Sequence, residues 1–426
     1  MATIFVARLL GGDGTGSFAL ALSVIAVQTV IGSLGFLRGG AYFVRSGRWA
    51  PRDAFSVSQW AALALGMAGA ALAILVRLVL PAPFGDLTVT QTALAALALP
   101  ASLSWFFGSY VALADDHFEG FVIPPALQSG SAMVLVLVLG LEFGLTGTIV
   151  ALLASQICAA ALTFWFGYRR LGRVAHRPDP LSPGDQLRRA IRFGLKGYAS
   201  NALQILNYRV DVLLLASVAT SAAVGSYAVA IGVTTTLWLL PQAVSDVVFP
   251  RVASLSAEQS NDADRQRAFV ETKSLRHVVL VVLLGAVVLA GAMVLLIVPI
   301  YGSDFEDAVE LGLIRLPGVM LLGLAGVMSA TFVGRGRPEY SLYIALMVTP
   351  CTMIFYAILI PTFGATGAAA ASSLSFALSF MLSLHFYRRT IGEPIGHRLV
   401  PTRSEIRDYV ALLPQIRARL RRGAPR

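Results

Sequence analysis

Seven residues between Gly197 and Asp211 could do chemistry in a stretch that is otherwise apolar: Gly197, Ser200, Asn201, Gln204, Asn207, Tyr208 and Asp211. At 3.6 residues per turn they fall within roughly a third of a helix circumference. Their amides, hydroxyls and one carboxylate could hold a polyhydroxylated ligand, and Asp211 could take up a proton or a sodium ion. A seam of small and polar residues between packed helices has the same composition. The length of the stripe and its terminal carboxylate favour a polar cavity. Three arginines stand apart from it. Arg209 sits off the stripe's edge and cannot face Asp211, because residues two apart on a helix point to opposite sides. It either snorkels to the headgroups or points into a shared cavity, and Arg315, in Leu313-Ile-Arg-Leu-Pro317, has the same two options. Arg8 lies within the short apolar piece Ala2–Leu10 and heads the Gly16-Ser-Phe-Ala block. A guanidinium is suited to phosphate, since its planar fork pairs with two oxygens at once.

The elements that position these groups are membrane helices. The chain has 426 residues, of which 56% are hydrophobic and 13% charged, with a mean hydropathy of +0.73. Apolar runs of about 20 residues, long enough to cross a bilayer, follow one another near 18–36, 54–79, 92–114, 121–141, 146–166, 193–218, 223–244, 278–297, 308–332, 340–360 and 366–386. They lack the charged faces that helices of a large soluble core would show. The expected fold is an all-α integral membrane protein.

Two internal echoes organise these helices. Gly16-Ser-Phe-Ala-Leu-Ala-Leu-Ser-Val24 returns as Gly225-Ser-Tyr-Ala-Val-Ala-Ile-Gly-Val233, an offset of 209 (225 − 16). Phe143-Gly-Leu-Thr-Gly147 returns as Phe363-Gly-Ala-Thr-Gly367, an offset of 220 (363 − 143), and each is followed by a helix ending in Tyr-Arg-Arg. Ordered recurrence at similar offsets reads as a duplicated half. About 12 transmembrane helices are expected, in two parallel six-helix lobes. These are an N-terminal lobe over 1–175, a linker over 176–192, a C-terminal lobe over 193–390 and a basic amphipathic tail over 391–426. The same ruler sets Met1 opposite Val210, so the first helix is expected to be incomplete and the true start to lie upstream.

Charge orients the helices. Of the 33 basic residues only Lys196 and Lys273 are lysines, and the arginines gather in alternate loops, ten of them from Arg388 onward. The intervening loops are short and mildly acidic. The positive-inside rule places the arginine-rich loops and the C-terminus in the cytoplasm. The net charge of +10 is thereby accounted for without nucleic acid, and the tail reads as an interfacial helix on anionic lipid. Cys158 and Cys351 are isolated, and the five histidines lack ligand spacing. Asp115-Asp116-His117-Phe-Glu119 is a dense acidic cluster best read as a solvated turn. No metal, cofactor or catalytic group is expected, and the chain is not read as an enzyme.

Ala7-Arg-Leu-Leu-Gly11 followed by Gly16-Ser-Phe-Ala resembles the start of the polysaccharide-exporting flippases of the multidrug/oligosaccharidyl-lipid/polysaccharide superfamily. Asp211-Val-Leu-Leu-Leu-Ala216, Gly225-Ser-Tyr-Ala-Val-Ala230 and Phe249-Pro-Arg251 are similar to that family's pattern in order and spacing. The resemblance implies two six-helix lobes around a central cavity. It implies a polyprenyl-pyrophosphate-linked oligosaccharide as substrate, turned from the cytoplasmic to the outer leaflet of a bacterial inner membrane by alternating access. A polysaccharide polymerase and glycosyltransferases are candidate partners, beside the membrane lipids. Arg8 matches an arginine held to grip the pyrophosphate. With Arg209 and Arg315 it forms the candidate anion site, while Ser200, Asn201, Gln204, Asn207 and Tyr208 would face the glycan and Asp211 would couple transport to H⁺ or Na⁺. Two rivals carry different signatures: a drug/cation antiporter of the same superfamily would need cavity carboxylates, and a membrane polymerase or glycosyltransferase a large outer loop or carboxylate cluster.

Overall fold

The structure is a computed structural model. It describes residues 2–33, 43–44, 49–171, 184–185, 188–189, 191–192, 203, 209–245, 248, 252, 261–337 and 339–391. These residues are helical throughout apart from short turns. The described residues include nine α-helices that carry the architecture: α1 (Ala2–Ser33), α2 (Pro51–Val79), α3 (Val89–Ala114), α4 (Phe118–Leu171), α5 (Val210–Ala216), α6 (Ser221–Thr235), α7 (Asn261–Tyr301), α8 (Asp307–Gly334) and α9 (Glu339–Ile391). Among the described residues eight helices are long and apolar enough to cross a membrane. Their outward faces are apolar, with Val288 72% and Leu295 71% exposed on α7, which suits a hydrocarbon surround and not water.

Local chemistry explains where the helices begin and break. Pro51 occupies the first turn of α2, where its missing N–H costs nothing. Thr88 and Gln91 form a reciprocal capping box at α3: the Gln91 N–H donates to Thr88 Oγ1 at 3.2 Å, and the Thr88 N–H donates to Gln91 Oε1 at 3.0 Å. The helices α4 and α9 break at Gly144 (φ 58°, ψ −137°) and Gly364 (φ 58°, ψ −130°). A Cβ on Gly147 would lie 1.9 Å from the Leu139 carbonyl oxygen, and one on Gly367 1.9 Å from that of Leu359. Residues eight apart in a straight helix are about 12 Å apart, so both chains reverse at these glycines and form helical hairpins. The Phe-Gly-x-Thr-Gly echo is therefore one turn used twice. The expected runs 121–141 with 146–166, and 340–360 with 366–386, are the arms of these hairpins. Helix α7 reaches well beyond its expected run, starting at Asn261 because the polar segment before Val278 continues the same helix.

By compactness the chain divides into two units. The first holds the chain to Val233 with Ala292–Arg315 and Ala345–Ser375, and the second holds Thr234–Gly291, Leu316–Ile344 and the chain from Phe376. In the first, α2 and α3 pack along one another, alanines of α2 against larger side chains of α3. Ala54, Val57, Ala61 and Ala62 meet Leu99, Leu103, Phe107 and Val111, and Gly66 lies so close to Pro100 that a Cβ would come within 2.4 Å of its Cα. In the second unit Arg335 grips Glu271 through two hydrogen bonds, Nε to Oε1 at 2.8 Å and Nη2 to Oε2 at 2.5 Å. That pair ties α8 to α7, and Tyr340 stacks on Phe386 with centroids 5.1 Å apart.

Candidate functional site

Asp211 lies in the first turn of α5 and is completely buried. Its Oδ1 accepts from the Val212 N–H at 2.8 Å. Its Oδ2 accepts from the Tyr227 hydroxyl of α6 at 2.6 Å and lies 3.6 Å from Nη1 of Arg315 of α8. Tyr227 has one proton to give. With that proton on Asp211, its oxygen accepts from Arg315 Nη1 at 3.1 Å. Ser372 of α9 closes the ring, with its Oγ 3.0 Å from the Tyr227 hydroxyl, 3.2 Å from that of Tyr356 and 3.5 Å from Asp211 Oδ2. Four helices thus converge on one carboxylate and one guanidinium. Arg315 is 4% exposed, so the pair interacts where water does not screen it.

The network's residues can be compared with those one sequence-echo offset earlier in the chain. At the offset of 209, Asp211 and Tyr227 correspond to Ala2 and Phe18; at 220, Tyr356 and Ser372 correspond to Val136 and Leu152. The equivalent 3-10 turns Ala82–Phe84 and Ser303–Phe305, each with a buried Phe, give 221 (305 − 84) and pair Arg315 with Leu94. Every polar member has an apolar counterpart.

The expected site residues are distributed as follows. Asp211 and Arg315 come together. Arg209 is the residue before α5, partly exposed and two positions from Asp211. Arg8 is exposed and its bonds run elsewhere: Nε donates to the Ile300 carbonyl at 2.8 Å and Nη2 to that of Pro299. These carbonyls end α7, so the arginine completes a helix C-terminus, where cations are favoured. Ser200, Asn201, Gln204, Asn207 and Tyr208 lie outside the described residues, as do Phe249-Pro-Arg251 and the tail from Gly392. Tyr227, Tyr356 and Ser372 are functional candidates that the sequence reading missed. The available signal was the change from Phe18 to Tyr227 inside the repeated Gly-Ser-x-Ala block.

A second feature of this site region is the approach of α1 to α6. A Cβ on Gly12 would lie 3.3 Å from that of Ala222, and the Ser221 Oγ donates to Asp86 Oδ2 at 2.5 Å. The kink of α1 at Gly11 (φ 64°, ψ −163°) and the ends of α5 and α6 are thereby joined to the turns after α2 and α7.

Residues 5–310 match the sequence model of a family described as polysaccharide biosynthesis protein. The chain belongs to that family. A relative in Haloferax volcanii, described as a probable low-salt glycan biosynthesis flippase, Agl15, is 27% identical over 180 residues, 42% of this chain and 37% of the relative. The alignment thus spans little more than a third of that protein. Among solved structures, an inward-facing multidrug-resistance MATE transporter of the MOP superfamily aligns with a TM-score of 0.68 at 14% identity, covering 92% of this chain and 93% of that one. The lipid II flippase MurJ, in an inward closed conformation, gives 0.68 at 15%, covering 93% and 88%. A MOP superfamily transporter from Pyrococcus furiosus gives 0.59 at 15%, covering 92% and 90%. The polysaccharide biosynthesis protein described here is a multi-pass membrane protein with the MOP transporter fold.

Proposed function

We propose that this chain flips a polyprenyl-pyrophosphate-linked oligosaccharide from the cytoplasmic to the outer leaflet, in a bacterial inner membrane, for cell-surface polysaccharide synthesis. Its two six-helix lobes, 1–175 and 193–390, rock in alternating access, with the C-terminus on the cytoplasmic side. The observation that carries this reading is the match of Asp211 by Arg315. A drug/cation antiporter needs a carboxylate with charge to spare, and here the buried carboxylate already has a guanidinium on it. The pair suits an anionic substrate instead. A pyrophosphate gives Arg315 a second anion to fork onto. Asp211, once relieved of its partner, becomes a buried carboxylate that takes H⁺ or Na⁺ in compensation. Asp211 is thus compensated at both stages, first by Arg315 and then by the ion, and that links substrate to ion. Arg8 and Arg209 stand as further anion contacts, and Ser200, Asn201, Gln204, Asn207 and Tyr208 as the glycan-facing surface. A polysaccharide polymerase and glycosyltransferases are the proposed working partners.

Purified protein in proteoliposomes tests the reading. Fluorescent polyprenyl-pyrophosphate oligosaccharide is expected to become accessible on the opposite face, with the wild-type rate dependent on an ion gradient and lost in Asp211→Asn. Efflux of an organic cation such as ethidium, without lipid flipping, would instead establish the antiporter. Flipping indifferent to Asp211→Asn and to ion gradients would remove the coupling role.

A further inference from the structure

Two turns clasp helices from the opposite half of the chain at one end of the first unit. The turn after α2 reaches into the second half. Its Asp86 Oδ2 accepts from the Ser221 hydroxyl at 2.5 Å, at the start of α6, where exposed N–H groups favour a carboxylate. A Cβ on Gly85 of the same turn would lie 3.7 Å from that of Ala216, the last residue of α5. The turn after α7 reaches back into the first half. A Cβ on Gly11 would lie 3.1 Å from Asp304 Oδ2, and Arg8, just before it on α1, donates to the Ile300 and Pro299 carbonyls. Arg77 holds the first turn in shape, its Nη2 donating to the Leu87 carbonyl at 2.8 Å.

The clasp is where the two halves merge, since compactness groups the chain to Val233 with Ala292–Arg315. Its contacts are of a kind that can part. Arg8, Asp86 and Asp304 are exposed side chains, and the remaining approaches are those of glycine and alanine. Parting them uncovers little apolar surface and lets water take over each polar group. The two turns carry Asp86, Asp304 and Glu306 and no lysine or arginine, which by the positive-inside rule sets them on the outer side.

We propose that this clasp is the outer gate of the flippase, shut in this structure and released in each cycle by parting Asp86 from Ser221 and Arg8 from the end of α7. The inference rests on the flippase reading and adds where the outer side opens. The anion contact proposed for Arg8 belongs to the released state, because its guanidinium is engaged on carbonyls while the gate is shut. The full chain in nanodiscs tests it, with Cys158 and Cys351 changed to alanine and spin labels on Ala82→Cys and Ser303→Cys. These two exposed positions are 221 apart (303 − 82), like Phe84 and Phe305. Pulsed electron resonance should show two distances between them. The longer one should gain about three- to tenfold in population, the ratio that one lost hydrogen bond makes, in Ser221→Ala and in Arg8→Gln. A single distance, unchanged by both variants, overturns the proposal. Should Arg8→Gln fail to fold, a second measurement decides. Asp86→Cys with Ser221→Cys, bridged by a short bis-thiosulfonate, should stop flipping of polyprenyl-pyrophosphate oligosaccharide, and reduction of the bridge should restore it. Full flipping with the bridge in place makes the clasp a static joint and sinks the gate alone. Opening reported by the labels without any flipping keeps the gate and sinks the functional reading.

Discussion

Gly16 of α1 and Gly225 of α6 pack backbone against backbone and reciprocally. A Cβ on Gly16 would lie 3.0 Å from the Gly225 nitrogen and 1.8 Å from the Ser221 carbonyl oxygen; one on Gly225 would lie 3.0 Å from the Gly16 nitrogen and 2.3 Å from the Gly12 oxygen. Each glycine meets its own counterpart and the residue four positions before it. Equivalent residues touching through equivalent atoms is the signature of a local two-fold axis. The repeated Gly-Ser-x-Ala block is thus a contact point, and glycine is required because the helices meet closer than any side chain permits.

We predict that Gly16→Ala and Gly225→Ala each destabilise the protein by at least the ~1–3 kcal/mol typical of overpacking, because the obstructing atoms belong to backbone. Gly232→Ala, with open space at its Cβ, serves as control and should be near neutral. Melting midpoints in detergent, followed by size-exclusion fluorescence, distinguish these outcomes. Equal midpoints for all three variants would show that the crossing is looser than described.

For the charge pair, Arg315→Gln is expected to cost about 3–5 kcal/mol, the penalty of leaving a buried carboxylate without its partner. Asp211→Asn should be costly for the mirror reason, while the double variant should recover much of the loss. Additive losses in this double-mutant cycle would mean that the two charges do not interact energetically.

Tyr227→Phe imports the residue that the first copy carries at Phe18. It removes the hydroxyl joining Asp211, Arg315 and Ser372, at about 1–3 kcal/mol for the hydrogen-bonding groups left unmatched. If the network couples ion to substrate, transport should fall more than the yield of folded protein. A flipping rate that merely tracks folded yield would argue for a structural hydroxyl only.

In the second unit, Glu271→Gln should destabilise, and Arg335→Lys should fail to substitute for arginine, because a single ammonium cannot reproduce the two parallel bonds of a guanidinium on a carboxylate. The side chain of Glu271 is fully buried and that of Arg335 13% exposed, so salt should screen little of the effect. Thermal stability measured at low and high ionic strength provides the check, and a loss that vanishes in high salt would contradict the buried placement.

Much of the fold was legible in the sequence, for a physical reason. Crossing a bilayer is a requirement on each window of about 20 residues, and reversing a helical hairpin with positive φ is a requirement on one glycine. Both are local, so apolar runs, the Phe-Gly-x-Thr-Gly turns and the repeat could be read directly. The membrane character, the helical fold and the family all follow from such local signals. The tertiary structure alone decided which polar groups meet. Asp211 and Arg315 are distant in sequence and no periodicity connects them; their pairing depends on how α5, α6, α8 and α9 pack around a buried point. Likewise, nothing in the sequence links Arg8 to the Pro299 and Ile300 carbonyls that end α7. In a low-dielectric interior a charge is defined by its partner, and the partner is chosen by packing.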